Sequence, residues 1–366
     1  MPRSPSNNTL VPLLHKLSQR LGVQQAKSEL RWLVEHARAT LSDTTNSPQH
    51  HQPHKQARLW RDQPAPSEEE VEQDRLRFTS VQWAWLRQAV ADRTERHKPL
   101  QYILGDQPFG KTSLSVRPPV LIPRWETEEW MLKLAEMIRQ HMAAQAEEAR
   151  GGEVGQRSPL KILDACTGTG CISLGLASEL PPESAQITGV DISAEAISLA
   201  SDNLAFNQLL LNNRVEFRQL DLQSPDILPK LLGVEPTWDM IVSNPPYVTP
   251  AEYHSLDLDV KEWEDKRALV PLPPNADPQA VKDEELDPSG IAFIVHLTKL
   301  AKEMGLADVS RSEQAGSTLP RLVVEIGGSQ QVEPVRQAMH DHGFNSTEVW
   351  RDMAGTDRVV LGYFKL

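Results

Sequence analysis

Apolar residues at the start of the chain keep helical spacing. Leu10, Leu13, Leu14, Leu17 and Leu21 fall on one face, predicting two helices across 9–42 that break near Gly22. The pattern then lapses. Residues 44–75 are rich in Pro, Gln, His, Ser and Glu, which predicts a disordered insertion. Helical spacing returns from Ser80 with Val81, Trp85, Leu86 and Ala89. Residues 1–95 therefore read as a small N-terminal helical domain carrying a polar loop. Strand formers separated by Gly and Pro follow: Tyr102, Ile103, Phe109, Val116, Val120 and Ile122. They predict a hairpin connector over 96–124. Beyond it, 125–366 reads as one large domain, opening on a helix from about 126 to 149 and a Gly-rich joint.

After Leu160, short apolar runs alternate with helical patterns. The runs are "LKILDA", "QITGVD", "RVEFRQLD", "WDMIVSN", "RLVVEIG", "STEVWRD" and "DRVVLGYF". Such alternation predicts an α/β fold: a largely parallel sheet with helices on both faces. The last two runs leave no room for a crossover helix, so they are expected to pair antiparallel. An acidic, Pro-rich stretch near 270–289 interrupts the pattern.

Composition narrows the function classes. Only 39% of the 366 residues are hydrophobic, consistent with stretches that do not pack. A net charge of −12 argues against a sequence-independent grip on nucleic acid, although a local basic groove remains open. The two cysteines, Cys166 and Cys171, form no disulfide framework and suit a reducing compartment. No apolar run approaches the ~20 residues of a membrane span. Arg3, Lys16, Arg20 and Lys27 all precede the first acid, Glu29. An organelle transit signal and an ordinary amphipathic helix both fit that start. His50, His51 and His54 lack Cys or acidic partners at metal-ligand spacing, so no metal is expected.

Three motifs fall where strands should end, the place where open α/β sheets bind ligands. "DACTGTG" leaves the first strand of the sheet, and Gly168 and Gly170 let backbone approach a ligand at a helix N-terminus. Ser173 breaks the dinucleotide fingerprint. Asp191 lies about 20 residues further on, where an acid accepts from ribose hydroxyls; the alternative is a capping network with Ser193. Asp221 could serve a ligand or cap the next helix. Asn244-Pro245-Pro246-Tyr247 ends the fourth strand. Two prolines stiffen it, the Asn244 oxygen and the Pro245 carbonyl are acceptors, and Tyr247 offers a flat face. A planar –NH₂ group fits between them.

These motifs together resemble class I S-adenosylmethionine-dependent methyltransferases. Asn-Pro-Pro-Tyr is found in those that methylate planar nitrogens, both the amino-DNA enzymes and the HemK/PrmC-type glutamine methyltransferases. The remaining segments resemble the second group: "RHKPLQYILGDQPF", "VLIPRWETE", "EDKRALVP", "LVVEIG", "QQ" at 330–331 and "DMAGTDRVVLG". The resemblance implies a seven-stranded Rossmann-like class I methyltransferase sheet, a small helical domain and a connecting β-hairpin. It implies transfer of the methyl group of S-adenosyl-L-methionine to the amide nitrogen of the Gly-Gly-Gln glutamine in a class I peptide chain release factor. In that assignment Cys166, Thr167, Gly168, Thr169 and Gly170 wrap the methionine end, Asp191 takes the ribose and Leu222 lines the adenine. Asn244 touches the cofactor and, with Pro245, Pro246 and Tyr247, holds the substrate. Asn244, Pro245 and Tyr247 carry the catalysis. Phe109 and the Pro123-Arg124 corner frame the substrate side.

The sequence departs from the family pattern at Trp125, at Cys166 in place of a glycine, and in the two insertions. The insertions suit a eukaryotic, mitochondrial member, with a cytoplasmic one as the alternative. A monomer with a protein substrate and no nucleic-acid or membrane partner is expected. One rival function is an amino-group methyltransferase acting on DNA or RNA adenine or cytosine. The other is a non-enzymatic assembly partner on a degenerate fold.

Overall fold

The leucine spacing at the start of the chain becomes helix α1 (Leu10–Leu21), and Gly22, at φ +79°, turns the chain into α2 (Val23–Thr40). The computed structural model describes residues 9–41, 78–148, 158–235, 237–306 and 319–364. The expected insertion at 44–75, with His50, His51 and His54, lies outside the described residues. So does most of the Gly-rich joint.

The described residues form two units. The first holds α1, α2, α3 (Ser80–Glu95) and α4 (Leu100–Leu104), together with the distant segment Asp257–Trp263. Thr79 and Gln82 form a reciprocal capping box that starts α3. Leu10, Leu13, Leu17, Leu30, Leu33, Trp83, Leu86 and Val90 make the core. The α3 stripe thus runs through Trp83 rather than through Val81, which is exposed. Because Leu10, Leu13 and Leu17 are buried, α1 is a core helix of this unit. The Arg93 guanidinium reaches Glu29 at 2.7 and 3.1 Å and also pairs with Asp259, which Arg20 holds from another side.

The second unit begins at Gln107, within the hairpin of β1 (Asp106–Phe109) and β2 (Thr112–Ser115). Then come α5 (Trp125–Glu148), β3 (Leu160–Ala165), α6 (Cys171–Glu179), β4 (Ala185–Asp191) and α7 (Ala194–Asn207). They are followed by β5 (Arg214–Gln219), α8 (Ile227–Val234), β6 (Met240–Ser243), α9 (Ala292–Glu303), β7 (Leu322–Glu325), α10 (Ser329–Asp341), β8 (Ser346–Arg351) and β9 (Asp357–Tyr363). The seven-stranded sheet has the order β5-β4-β3-β6-β7-β9-β8. β9 runs against both its neighbours and the other pairings are parallel, as the short connection between the last two strands requires. Alternate strand residues feed opposite faces. Ile162, Met240 and Val242 join Met131, Leu134 and Ile138 of α5. Leu163, Ile241 and Val324 join Leu231, Leu297 and Met339 on the other side.

The hairpin is fastened to α7 by two asparagines one helical turn apart. Asn203 accepts from the Ser115 N–H at 2.7 Å and donates to the Ser115 carbonyl at 3.1 Å. Asn207 does the same for Ser113 at 3.2 and 2.9 Å. Asn203 also donates to the Thr169 carbonyl at 3.0 Å, which ties hairpin, helix and the loop after β3 together.

Candidate active site

The sheet reverses its strand order between β4-β3 and β6, so the loop leaving β3 stands at the switch point where such folds bind ligands. Three of its residues take positive φ: Cys166 (+60°), Gly168 (+54°) and Gly170 (+81°). The two glycines differ in purpose. A Cβ at Gly170 would lie 2.7 Å from the Phe217 ring, whereas one at Gly168 would meet nothing within 4 Å. Gly170 permits packing, and Gly168 leaves the backbone bare on the open side. Beneath the loop, one oxygen of fully buried Asp164 accepts from Thr167 Oγ1 (2.7 Å), Ser173 N (3.1 Å) and Ser173 Oγ (2.6 Å). Its second oxygen is buried without a hydrogen-bond partner among the described residues, and burial pushes its pKa up to about 6.

A cleft of about 230 Å³ opens here, lined among others by Cys166, Gly168, Asp191, Leu222, Asn244 and Pro246. Asp191 accepts from Gly168 N and Ser193 N, each at 2.9 Å, while Ser193 Oγ caps α7 through Ala196 N. The carboxylate therefore joins two loops and also faces the cleft; the capping network and the ligand position coexist. Burial raises its pKa, against those two N–H donors. Asp221 lines the cleft and turns onto Gln223 N at 2.9 Å. It does not cap the next helix, whose N-cap position is Asp226. Leu222 and Phe293 give the cleft an apolar wall. The stretch near 270–289 contributes Leu272, Pro273, Asn275, Ala276 and Pro278 to the same lining.

Asn244, at the end of β6, is held by residues that the sequence motifs did not single out. Its Nδ2 donates to Thr127 Oγ1 at 3.1 Å, and Thr127 donates to Glu325 Oε2 at 2.7 Å. Trp130 Nε1 donates to the same oxygen at 2.7 Å, and Tyr247 Oη donates to Oε1 at 3.0 Å. Glu325 ends β7 almost fully buried. Burial raises its pKa and the three donors oppose that rise. The Tyr247 hydroxyl is pushed well up by burial and by the adjacent carboxylate. A signal was present in the sequence: an acid inside the apolar run "LVVEIG" must find partners. Which partners it finds depends on the fold.

The other expected site residues are placed differently. Thr167 and Thr169 are buried in the loop. Gly170, Pro245 and Tyr247 are not among the cleft's lining, and the Tyr247 ring packs beside Gly327. Gln331 braces the turn, donating to the Tyr247 carbonyl at 2.9 Å and accepting from Gly327 N at 2.7 Å. Phe109 does not frame a substrate side. It is a core residue against Met131 and Gly175, because the hairpin turns that ring inward. Arg124 is anchored by the buried carboxylate of Glu264, which also accepts from Ile122 N at 3.3 Å. Glu264 opens the "EDKRALVP" segment, whose Asp265, Arg267 and Ala268 line the cleft.

Comparison with known proteins narrows the family. A profile described as a methyltransferase domain matches residues 156–270. The release factor glutamine methyltransferase of Aliivibrio fischeri is 31% identical over 274 residues, covering 75% of this chain and 77% of that protein. The chain belongs to the release factor glutamine methyltransferase family. Its sheet is the α/β fold of class I methyltransferases. Another relative is the Saccharomyces cerevisiae "Mitochondrial MRF1 N(5)-glutamine methyltransferase MTQ1", 33% identical over 192 residues, or 52% of this chain and 54% of that one. The chain thus spans about half the length of the yeast protein. The Schizosaccharomyces pombe "Probable MRF1 mitochondrial N(5)-glutamine methyltransferase mtq1" is 31% identical over 273 residues, covering 73% and 75% respectively.

Proposed function

We propose that this chain transfers a methyl group from S-adenosylmethionine to the side-chain amide nitrogen of the glutamine in the Gly-Gly-Gln motif of a class I release factor. One observation carries the proposal. Asn244, whose motif suits a planar –NH₂ group, shares a single cleft with Gly168, Asp191 and Leu222. The lining fits S-adenosylmethionine. Gly168 has open space beside its backbone, Asp191 offers carboxylate oxygens for hydroxyls, and Leu222 with Phe293 offers an apolar face for a base. Cys166, Thr167, Thr169 and Gly170 shape the loop that would hold the methionine end. When bound, S-adenosylmethionine supplies a methyl group on a positively charged sulfur.

The chain's own task is orientation. An amide nitrogen is a weak nucleophile because its lone pair is delocalised. Fixing it in line with the S–CH₃ bond can lower the barrier by up to ~7–11 kcal/mol. Asn244 Oδ1 and the Pro245 carbonyl would accept the two amide hydrogens and aim the nitrogen, with Pro246 stiffening the turn. They would also stabilise positive charge as it develops on nitrogen. With S-adenosylmethionine bound, the methyl group would pass to the nitrogen as its bond to sulfur breaks with the electron pair left on sulfur, and the nitrogen held by Asn244 and Pro245 would then lose a proton to water. Tyr247 serves this turn from beside it.

The relatives named above act on glutamine, which does not favour a nucleobase as acceptor. The net charge of −12 points the same way. We infer a mitochondrial location from the two fungal relatives' names, and we keep a monomer as the expected state. The deciding experiment is mass spectrometry of a release factor's Gly-Gly-Gln peptide after incubation with enzyme and S-adenosylmethionine. One added methyl on the glutamine is expected. An unmodified glutamine, or methyl found instead on a nucleic-acid substrate, would overturn the proposal.

A further inference from the structure

The amide of Asn244 can point either way. One orientation presents the acceptor Oδ1 and the other presents the donor Nδ2, and only the first can receive an N–H from a substrate amide. The chain around it sets the choice. Thr127 is buried, and its hydroxyl has one hydrogen to give. That hydrogen goes to Glu325 Oε2 at 2.7 Å, leaving Thr127 Oγ1 as an acceptor for Asn244 Nδ2 at 3.1 Å. Glu325 in turn receives three donors, from Thr127, Trp130 and Tyr247, an arrangement suited to an ionised carboxylate that only accepts. Reversing Thr127 would leave its oxygen facing Glu325 Oε2, acceptor against acceptor, with only the Trp130 N–H left on that carboxylate oxygen.

We propose that Thr127 and Glu325 are positioning residues which, through this hydrogen-bond relay, lock the Asn244 amide with Oδ1 available to the substrate. The proposal rests on the functional reading above, in which Asn244 receives the reacting amide. It extends that reading to two residues that do not touch the substrate. Tyr247 shares the same carboxylate, so the relay joins both ends of Asn244-Pro-Pro-Tyr247 to the end of β7 and the first turn of α5.

The test is Thr127→Val, an isosteric change that removes the hydroxyl, beside Thr127→Ser, which keeps it. With a Gly-Gly-Gln peptide and saturating S-adenosylmethionine, Thr127→Val is expected to lower kcat on the order of tenfold. Peptide KM and cofactor Kd should stay within about twofold, because the interaction lost is one of orientation. Thr127→Ser is expected to restore kcat to near that of the parent enzyme. A merely structural role would instead lower the melting temperature and raise KM without a kcat deficit. Thr127→Ala, predicted to match the valine variant, serves if that one does not fold. A second readout needs no substrate: exchange of the Asn244 side-chain amide protons by ¹⁵N NMR, expected to be slow in the parent and fast in Thr127→Val. If the parent enzyme leaves the peptide unmodified, the substrate reading fails while the NMR experiment still judges the relay. Unchanged kcat in Thr127→Val, a serine variant as impaired as the valine one, or unchanged amide exchange would each overturn the relay.

Discussion

At the residue scale, the site divides into groups that face the cleft and groups that hold them. Asn244→Ala removes the acceptor itself and is expected to lower kcat by roughly 10²-fold with the cofactor saturating. Recovery at high S-adenosylmethionine would show a cofactor defect instead. Tyr247 differs from what its motif suggests. Its hydroxyl donates to buried Glu325, so Tyr247→Phe leaves that oxygen one donor short. Steady-state kinetics should place the phenylalanine variant between the parent and Tyr247→Ala; equal damage in both would mean that the hydroxyl alone matters. Asp164 is one source of pH dependence, beside Asp191, Glu264 and Glu325, whose pKa values burial also raises. The Asp164 pKa in the folded chain, about 6, lies above the ordinary 3.8, so the unfolded chain releases this proton more readily. The stability it contributes is fully present below the ordinary value and is lost as pH rises through 6, a difference of about 3 kcal/mol. Urea unfolding from pH 4 to 7 should therefore fall less steeply for Asp164→Asn than for the parent. Parallel curves would place this titration elsewhere. The motifs made Asn244, Gly168 and Asp191 legible because each lies at or just beyond the carboxyl end of a strand. Glu325 was signalled only as an acid inside an apolar run and Thr127 not at all: their roles arise from a meeting of β6, β7 and α5.

At the element scale, the strands were readable for a simple reason. The inner strands β3, β4, β6, β7 and β9 are short apolar runs largely buried on both faces, whereas the edge strands β5 and β8 are more exposed and carry charged residues; each lies close to where the pattern put it. The docking of the hairpin was not readable. Asn203 and Asn207 look like solvent-facing positions of an amphipathic helix, yet both are buried, because β2 presents an unpaired strand edge that needs donors and acceptors. Together the two side chains stand in for a neighbouring strand along β2. Asn203→Ala would strand the Ser115 N–H and two carbonyls, Ser115 and Thr169. A cost of about 1–3 kcal/mol is expected in urea unfolding. S-adenosylmethionine affinity should fall as well, since Thr169 belongs to the loop after β3. A stability loss with unchanged cofactor affinity would confine Asn203 to holding the hairpin.

At the scale of the whole molecule, the helical unit is not one stretch of sequence: Asp257–Trp263, over 150 residues beyond α3, belongs to it. The periodicity that revealed α1 to α3 could not reveal this, because the segment is too short to carry a pattern and is recruited by charge. Asp259 receives both Arg20 and Arg93, and Arg93 also covers Glu29, which is 3% exposed. Breaking such a pair costs more than replacing it, because the remaining partner keeps its charge without its counter-ion. Arg93→Met is therefore expected to cost about 3–5 kcal/mol, read as a lower melting temperature. In the double variant Glu29→Leu with Arg93→Met, both buried charges leave together while Arg20 still holds Asp259. That variant should regain most of the loss, since apolar groups can fill the space that an ion pair vacates. If the double variant is as unstable as Arg93→Met alone, the cost lies in Asp259 or in lost packing of the arginine stem. Glu29→Leu alone would then be nearly neutral, and its melting temperature decides between the two accounts.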